Sequence, residues 1–530
     1  DRGASWRVLS PDLTTNDPAK LDQATSGGLT IDATQAENHC TILCIAPASA
    51  EEIWVGTDDG RLQHTTDGGA TWRDHAAEIK RFPQGAWIPQ IHVSPHRPSE
   101  VYVVVNDYRR GDDQPYLYRT TDSGESWERL VLDGSGVQGH ALCVAQDPVA
   151  ESLLFLGTEG GLCVSFDRGV NWQRWTHDLP SVPVRDLVIH PEWGDLILGT
   201  FGRAAYVIDD LKPLRALATE GNGVFSAGLR AFAPRDAFSV TRARPAGARF
   251  PGDPIWEGQN RNSGALWPYY IAPDTAAAYG TGDLRVSILD ASGDTIRRMQ
   301  WDPEPGLQQA RWGLSTDGIH WPRRGLREHS DEVPGSGPQA LPGTYEIVME
   351  LGPHVSRQTL TVRPDPRVPY DAEAATAAQA QIRAVNAIAA RADEALQEVA
   401  RALATIDAVK TTWSHLPKGD RETLDELSDS LRTELHRVEE RWTTPRGFKG
   451  YDHVTRRLSD DLWTALGRID ETTALGTNAL RAAEILDSET TELENAVAEV
   501  MDGIWATWLA AVTGLDRSPE RIFNAAGQAE

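Results

Sequence analysis

The sequence predicts a multidomain, mainly β protein: a partial β-propeller, then a β-sandwich of the fibronectin or immunoglobulin kind, then a C-terminal α-helical bundle. Three observations predict this order. A short motif recurs along the first third of the chain, two hairpin patterns follow it, and apolar residues take up a helical spacing from residue 371 onward. Strands and helices bury differently spaced residues, so each change of period indicates a change of structure.

The repeated motif reads Ser/Thr-x-Asp-x-Gly-x-x-Trp and occurs at residues 65–72, 120–127 and 165–172, with a truncated copy at 1–6. The Asp carboxylate can accept backbone N–H bonds within a tight turn. The Gly supplies a positive φ, and the Trp anchors the next strand. We therefore expect structural roles for Asp1, Gly3, Trp6, Asp67, Gly69, Trp72, Asp122, Gly124, Trp127, Asp167, Gly169 and Trp172.

Around these motifs the chain forms four units, each with short β-rich runs bounded by Gly, Asp or Pro. A four-stranded antiparallel unit repeated about every 50 residues predicts the blades of a β-propeller. We expect residues 1–215 to hold four blades plus the end of another, which is an incomplete ring. The fourth unit lacks the motif, and its last strand is predicted at residues 214–217.

The remainder is predicted to contain a linker and two further domains. Residues 216–262, rich in Ala, Gly, Pro and Arg, are predicted to be the linker. Residues 263–367 are predicted to be the sandwich, because two hairpin patterns with alternating apolar residues lie within them. Residues 371–530 are predicted to be the bundle, because four segments carry apolar residues at helical spacing. These segments are 382–406, 424–442, 454–469 and 493–504.

Composition excludes several classes of partner. The net charge of −26 argues against nucleic acid and anionic membranes, because phosphate binding needs a basic footprint. We expect no membrane span, since no run of about 18 apolar residues is present. Phosphate loops, nucleophile elbows and metal-binding motifs are absent from the sequence, so we expect no cofactor and no metal site.

The four cysteines leave three possibilities open. Cys40, Cys44, Cys143 and Cys163 can be small buried apolar residues, can form disulfides, or can bind zinc, although no Cys-x-x-Cys pair is present.

Candidate ligand-binding residues lie in the turns between the second and third strand of each unit. In a four-stranded antiparallel blade these turns open at the end opposite to the repeated motif, and function concentrates on such loops. The candidates are Asp58, Asp59, Asp107, Arg109, Arg110, Asp112, Asp113, Glu159 and Arg203. The alternative is that Asp58 and Asp59 build their turn and that the charges of the second loop pair among themselves.

The chain resembles the Asp-box (BNR) repeat proteins and the sortilin/VPS10-type propellers, and more closely bacterial members that carry the name glycosyl hydrolase. The matching residues are 56–60, 115–122, 156–159, 206–215, 341–345 and 362–367. The resemblance implies further blades and a secretion signal upstream, and hence an extracellular or periplasmic protein. One departure is that Phe201 stands where the family has His, and Ala204 where it has Gly.

Three functions are compatible with these features. The first is a secreted or periplasmic binding or scaffold protein that recognises a peptide or glycan on the face opposite to the motifs. The second is a glycan-acting hydrolase with acidic residues on that face, which needs two carboxylates at a defined separation. The third is an assembly subunit whose propeller is completed by another chain or by upstream blades. A catalytic constellation is not identifiable from sequence, so we favour binding.

Overall fold

The computed structural model describes residues 3–28, 39–132, 134–240, 262–327, 335–411, 413, 416–445, 448, 455, 457–469 and 474–514. The chain divides into two compact units, Asp1–Phe232 and Ala233–Glu530. As the sequence predicts, the protein is mainly β, with many antiparallel sheets and a C-terminal helical region. The finer predicted boundaries, at residues 215, 262 and 367, stay predictions.

The first unit contains four successive antiparallel sheets, which we call blades 1 to 4. Their strands follow one another in chain order within each sheet. Blade 1 consists of β1–β4, at Ile42–Pro47, Ile53–Thr57, Leu62–Thr65 and Arg73–Asp74. Blade 2 consists of β5–β8, at Trp87–Val93, Val101–Asp107, Asp112–Thr120 and Glu128–Arg129. Blade 3 consists of β9–β12, at Ala141–Gln146, Leu154–Thr158, Gly161–Ser165 and Gln173–Arg174. Blade 4 consists of β13–β15, at Val184–Ile189, Leu196–Thr200 and Ala205–Ile208.

The prediction of a fourth strand in blade 4 is wrong. Residues 214–217 lie within a helix, α1 (Lys212–Glu220). Pro213 occupies its first turn, where a missing N–H costs nothing. Leu214 and Ala218, four residues apart, pack on the apolar layer of blades 3 and 4, which is the spacing of one helical face. Arg215 also donates to the buried Asp147 carboxylate at 2.9 Å.

Apolar layers fill the spaces between consecutive blades. Trp54 and Leu62 of blade 1 share one layer with Val103 and Tyr118 of blade 2. Equivalent layers join blade 2 to blade 3 and blade 3 to blade 4. The first strands β1, β5, β9 and β13 lie next to one another. Consecutive sheets that pack face to face in this way are the arrangement expected of neighbouring propeller blades.

Two cysteines contribute to these layers in the same manner. Cys44 of β1 donates its S–H to the backbone oxygen of Ile88 in the next blade, at 3.3 Å. Cys143 of β9 donates to the backbone oxygen of Val184, at 3.4 Å. All four cysteines are free thiols, so the structure favours the reading of small, largely buried side chains over disulfides.

The segment predicted to be a linker contains regular structure. Beyond the end of α1 it has a 3-10 turn at Gly221–Phe225 and two short strands, β16 (Leu229–Ala231) and β17 (Ala237–Ser239). Residues 241–261 lie outside the described part of the chain.

The β part of the second unit contains a five-stranded sheet in the order β17-β25-β24-β19-β20. Its pairs are antiparallel except β17 with β25. A smaller sheet contains β18 and β21, and β22 pairs with β23. The bounds are β18 Ala265–Ile271, β19 Leu284–Leu289, β20 Thr295–Trp301, β21 Gly306–Trp312, β22 Ser315–Asp317, β23 Ser336–Gln339, β24 Gly343–Leu351 and β25 His354–Pro364, with a short helix α2 at Pro273–Ala276.

The two sheets of this part are in contact through buried side chains. The indole N–H of Trp267 in β18 donates to the sulfur of Met349 in β24, at 3.3 Å. The predicted turn after β19 also forms, because the Asp290 carboxylate accepts the backbone N–H groups of Ser292 and Asp294. Whether the fold is of the immunoglobulin or fibronectin kind stays a prediction.

The helical region contains α3 (Ala372–Lys410), α4 (Lys418–Trp442), α5 (Leu458–Leu466), α6 (Thr477–Val500) and α7 (Ala506–Thr513). A π-helical turn at Met501–Trp505 joins α6 to α7. Their apolar faces form one cluster, as the helical spacing predicts. Val454, which belongs to the predicted third segment, lies outside the described residues. In the described ranges, every helix is too short or too polar to cross a membrane.

A strap between β22 and β23, residues 318–327, ties the sheets to these helices. Trp321 stacks on Trp463 of α5, with ring centres 5.3 Å apart. Arg324 forms an ion pair with Glu439 of α4 at 3.1 Å, and Arg327 pairs with Asp393 of α3 at 2.7 Å. These contacts explain why the β part and the helices form one compact unit.

Candidate functional site

The turns between second and third strands line one end of the blades, which we call the upper rim. In three blades the turn donates a backbone N–H to the residue that precedes the first strand. Asp58 donates to Thr41, Glu159 to His140 and Phe201 to Pro183, at 2.9–3.1 Å. The upper rim therefore contains both the turn residues and the residues that lead into each first strand.

The repeated motif lies at the other end. Asp67 accepts the Thr65 hydroxyl and the Thr71 backbone N–H, both at 2.8 Å, and the Trp72 indole donates to the Gly69 backbone oxygen. The other two complete copies make the same bonds. Glycine is required at the motif's Gly because its φ is 94° in the first copy.

The truncated copy shares part of this geometry. The Trp6 indole donates to the Gly3 backbone oxygen at 3.1 Å, and the φ of Gly3 is 85°. Asp1, the third predicted member, lies outside the described residues. Hydrogen bonds that Thr71 donates hold the pKa of Asp67 at about 2, below its ordinary 3.8, as expected for a carboxylate bound by N–H and O–H donors.

Two of the predicted ligand residues are buried and already bound within the chain. The Asp58 carboxylate accepts both the backbone N–H and the hydroxyl of Thr41, at 2.8 Å. Asp59 accepts the backbone N–H and hydroxyl of Thr15, at 2.7 and 2.6 Å, and the hydroxyl of Thr57. Both carboxylates therefore hold the approach to β1 and the segment around Thr15 in place.

In the turn between β6 and β7, some charged side chains pair with groups of the protein and others do not. Arg110 forms a bidentate pair with Asp107, at 2.5 and 2.8 Å, and donates to the backbone oxygen of Gln84. Asp112 accepts the hydroxyl of Tyr116 at 2.6 Å. Asp107, Arg110 and Asp112 thus stabilise the loop, which is the pairing that the sequence left open as an alternative.

Arg109 occupies a different environment, over aromatic rings. Its guanidinium carbon lies 4.8 Å from the centre of the Trp87 ring and 4.6 Å from that of Tyr108, within the range of cation–π attraction. Trp87 stacks in turn on His39 with ring centres 5.3 Å apart. Arg109 is exposed, and among the described residues no carboxylate lies within 4.0 Å of it.

Beyond Tyr108, two exposed carboxylates lie on either side of a buried imidazole. Tyr108 stacks on His140 at 4.3 Å. Nδ1 of His140 lies 3.6 Å from Asp113, whose side chain is 79% exposed, and Nε2 lies 3.7 Å from Glu159, whose side chain is 53% exposed. Burial lowers the pKa of His140, and the two carboxylates oppose that shift.

Blade 4 completes the upper rim. The Arg185 guanidinium lies 5.5 Å from the ring centre of Phe201, whose side chain is 66% exposed. Arg203 is exposed in the same turn. Of the sequence candidates, the structure therefore brings Arg109, Asp113 and Glu159 together along blades 2 and 3, whereas Arg203 lies in the turn of blade 4.

Sequence reasoning did not include four members of this arrangement among its candidates: His39, Trp87, Tyr108 and His140. His39 and Trp87 lead into a first strand or begin it, and Tyr108 is the aromatic residue of the longest turn. An aromatic residue recurring at the start of successive repeats was the available signal. We call His39, Trp87, Arg109, Tyr108 and His140 the ring stack. Within the described ranges no group of three or more His, Cys, Asp or Glu side chains is arranged to hold a metal ion.

Comparisons with known proteins show partial likeness. No family model matches the chain. An oligoxyloglucan-reducing end-specific xyloglucanase of Emericella nidulans is 36% identical over 97 residues, which is 18% of this chain and 11% of that protein. The vacuolar protein sorting/targeting protein 10 of Aspergillus clavatus is 31% identical over 123 residues, 21% of this chain and 8% of that protein. The chain thus spans about a tenth of these relatives' length.

Among solved structures, YCF48 bound to D1 peptide is 20% identical, with a TM-score of 0.26, and the likeness covers 32% of this chain and 51% of that one. In sequence, the chain is similar in part to a vacuolar protein sorting/targeting protein 10 and to a xyloglucanase, and the first of these agrees with the resemblance to VPS10-type propellers.

Proposed function

We propose that this chain is a β-propeller binding protein, extracellular or periplasmic, whose upper rim recognises a peptide or a glycan. The observation that carries the proposal is the ring stack, which runs without interruption across the upper rims of three neighbouring blades. Ligand sites are built by preorganised groups on rigid scaffolds. Within the stack Arg109 is exposed, and the exposed side chains of Asp113 and Glu159 lie beside it.

The rim's chemistry supports binding more than catalysis. Two acids of the rim, Asp58 and Asp59, are buried and accept hydrogen bonds from within the chain. The exposed groups carry both signs of charge, Arg109 on one side of Tyr108 and Asp113 with Glu159 on the other. Such an arrangement gives orientation and specificity to a ligand.

The proposal is tested by measuring binding of purified protein to a panel of peptides and oligosaccharides, with immobilised protein and label-free detection. We expect saturable binding that Tyr108→Ala weakens and Asp167→Ala, at the opposite end of blade 3, leaves unchanged. Saturable binding that is lost with Asp167→Ala and kept with Tyr108→Ala would place the site elsewhere.

A second candidate is a glycan-acting hydrolase. Two observations favour it: the partial sequence likeness to a xyloglucanase, and the pair Asp113 and Glu159. Both carboxylates contact the same imidazole, at 3.6 Å from Nδ1 and 3.7 Å from Nε2. The distance between the two contacting carboxylate oxygens is therefore at most these two contacts plus the distance between the ring nitrogens. Such a separation is comparable with the about 6.5–9.5 Å used by inverting glycosidases.

The hydrolase candidate predicts release of reducing ends from xyloglucan or another polysaccharide. Turnover should fall by at least about a hundredfold in both Asp113→Asn and Glu159→Gln, since each carboxylate has a separate role. If the wild type binds the polysaccharide but does not hydrolyse it, the hydrolase candidate is rejected and the binding function is retained.

A third candidate is an assembly in which another chain or further blades complete the ring. It is favoured by the exposed apolar side chains of β1, where Ile42 is 44% and Ile45 is 64% exposed. Native mass spectrometry distinguishes the cases, because a lone species of 58.1 kDa at micromolar concentration would argue against assembly with a second chain.

A further inference from the structure

We propose that the upper rim binds an extended peptide carrying a carboxylate and, two or three residues away, a basic side chain, with Arg109 as the residue that recognises the carboxylate. This inference rests on the proposed binding function and names its ligand class. It starts from the contrast between two adjacent arginines in one turn.

Arg110 is committed to the protein, whereas Arg109 is open. Arg110 is paired with Asp107 through both of its carboxylate oxygens and with the Gln84 backbone. Arg109 lies over two rings and, in the described part of the chain, has no carboxylate partner. Stacking orients a guanidinium without using its N–H donors, which stay available for bidentate binding of a ligand carboxylate.

The aromatic residues of the rim do not offer the surface that a sugar needs. A sugar ring stacks on an open aromatic face. Trp87 is 6% exposed and contacts both His39 and Arg109, while Tyr108 contacts both Arg109 and His140. Since these rings are occupied by each other and by Arg109, the charged groups remain as the recognition elements, and a charged peptide fits them better than a neutral glycan.

The distance between the two charged regions sets the spacing within the ligand. The Arg109 guanidinium lies 4.6 Å from the Tyr108 ring centre, which lies 4.3 Å from that of His140. Arg109 and the His140 ring are therefore within reach of about three extended residues, at roughly 3.3–3.6 Å each, and the two carboxylates lie beside that ring. Asp113 and Glu159, both exposed and both acidic, would bind the basic side chain.

The test uses labelled peptides of about ten residues in a Gly/Ser background, each amidated and carrying one Glu and one Lys separated by one to six positions, in both orders. Fluorescence anisotropy measures their binding. A further arm replaces the Glu by a free C-terminal carboxylate, which distinguishes side-chain from C-terminal recognition. We expect the tightest binding at separations of two or three.

Variants of the rim test which residue binds each charge of the peptide. Arg109→Gln should weaken the best peptide at least about tenfold, and Arg109→Glu should replace the preference for Glu by one for Lys. Glu159→Gln should weaken binding of these peptides but not of a matched peptide in which the Lys is replaced by Gln. Arg73→Gln is the matched control, since it removes the same charge from the outer strand β4 and should leave binding unchanged. Circular dichroism establishes that each variant is folded.

The outcomes distinguish this inference from the proposed binding function on which it rests. Binding of peptides or of xyloglucan oligosaccharides that Arg109→Gln leaves unchanged would overturn this inference and keep the binding function. Failure of the wild type to bind any peptide of the set or any glycan of the panel would overturn both.

Discussion

The ring of Tyr108, in the turn after β6, stacks on the ring of His140, which precedes β9, with centres 4.3 Å apart and planes inclined by 14°. This contact joins the upper rims of blades 2 and 3. It also places the Arg109 turn beside the carboxylates of Asp113 and Glu159, so one aromatic pair determines the spacing of the rim's exposed charges.

Removal of that ring should affect both stability and binding. Tyr108→Ala should lower the free energy of unfolding by at least about 0.5–1.5 kcal/mol, the value of an aromatic pair beyond its buried area, and weaken ligand binding about tenfold. Urea unfolding and anisotropy measure the two effects. Tyr108→Phe keeps the ring and is the control; an equal loss in both variants would show that the hydroxyl, and not stacking, is responsible.

The repeated motif should contribute to stability but not to binding. Asp167→Ala removes the acceptor of the Ser165 hydroxyl and of the backbone and side-chain N–H groups of Asn171. It should cost at least about 1 kcal/mol of unfolding free energy, the typical value of a single hydrogen bond. Asp167→Asn retains one acceptor oxygen and should cost less. Ligand affinity should stay unchanged in both, and a loss of affinity would contradict the placement of the motif away from the upper rim.

Acid should weaken the first copy of the motif. The pKa of Asp67 is about 2 in the folded chain against an ordinary 3.8, so its contribution to stability is present above pH 4 and is lost as the pH falls through 2. Unfolding free energy measured between pH 5 and 2 should therefore decline less steeply in Asp67→Asn than in the wild type. Parallel declines would contradict the assigned hydrogen bonds.

His92 gives a second pH dependence, at higher pH. Burial lowers its pKa from 6.5 to about 4, and its Nε2 accepts the Gln146 backbone N–H between blades 2 and 3. Because the folded pKa is depressed, this contribution is present above pH 6.5 and is lost as the pH falls toward 4. NMR titration of the imidazole should give a midpoint near 4, and His92→Gln should flatten the stability profile in that window; a midpoint near 6.5 would contradict burial of the ring.

The thiols should react slowly in the folded protein. Burial raises the pKa of Cys44 to about 12 and that of Cys163 to about 11, and it raises the pKa of Cys143 further. Since the thiolate is the nucleophile, iodoacetamide at pH 8 should modify these three only after unfolding, whereas the less buried Cys40 should react first. Mass spectrometry of peptides from native and urea-treated protein checks the order, and rapid native modification of Cys143 would be the contrary result.

Much of the architecture follows from the sequence because it depends on local chemistry. The Asp, Gly and Trp of each motif bond within eight residues of one another, and the strands on either side therefore have a defined register. The helical spacing of apolar residues likewise predicts α3, α4 and α6 without reference to their partners. The strand predicted at residues 214–217 failed because its apolar residues face a layer built by blades 3 and 4.

By itself, the sequence determined the repeat, the order of strands in each blade, and the end at which the turns carrying Arg109, Asp113 and Glu159 lie. Only the tertiary structure decided which charged side chains remain exposed and available to a ligand. The bond from Arg110 to the Gln84 backbone, the bonds from Asp59 to Thr15 and the stack from His39 to His140 join residues of different turns or blades. Such contacts depend on how the sheets pack, which the local pattern of residues does not encode, and so the same turn contains one committed arginine and one available for a ligand.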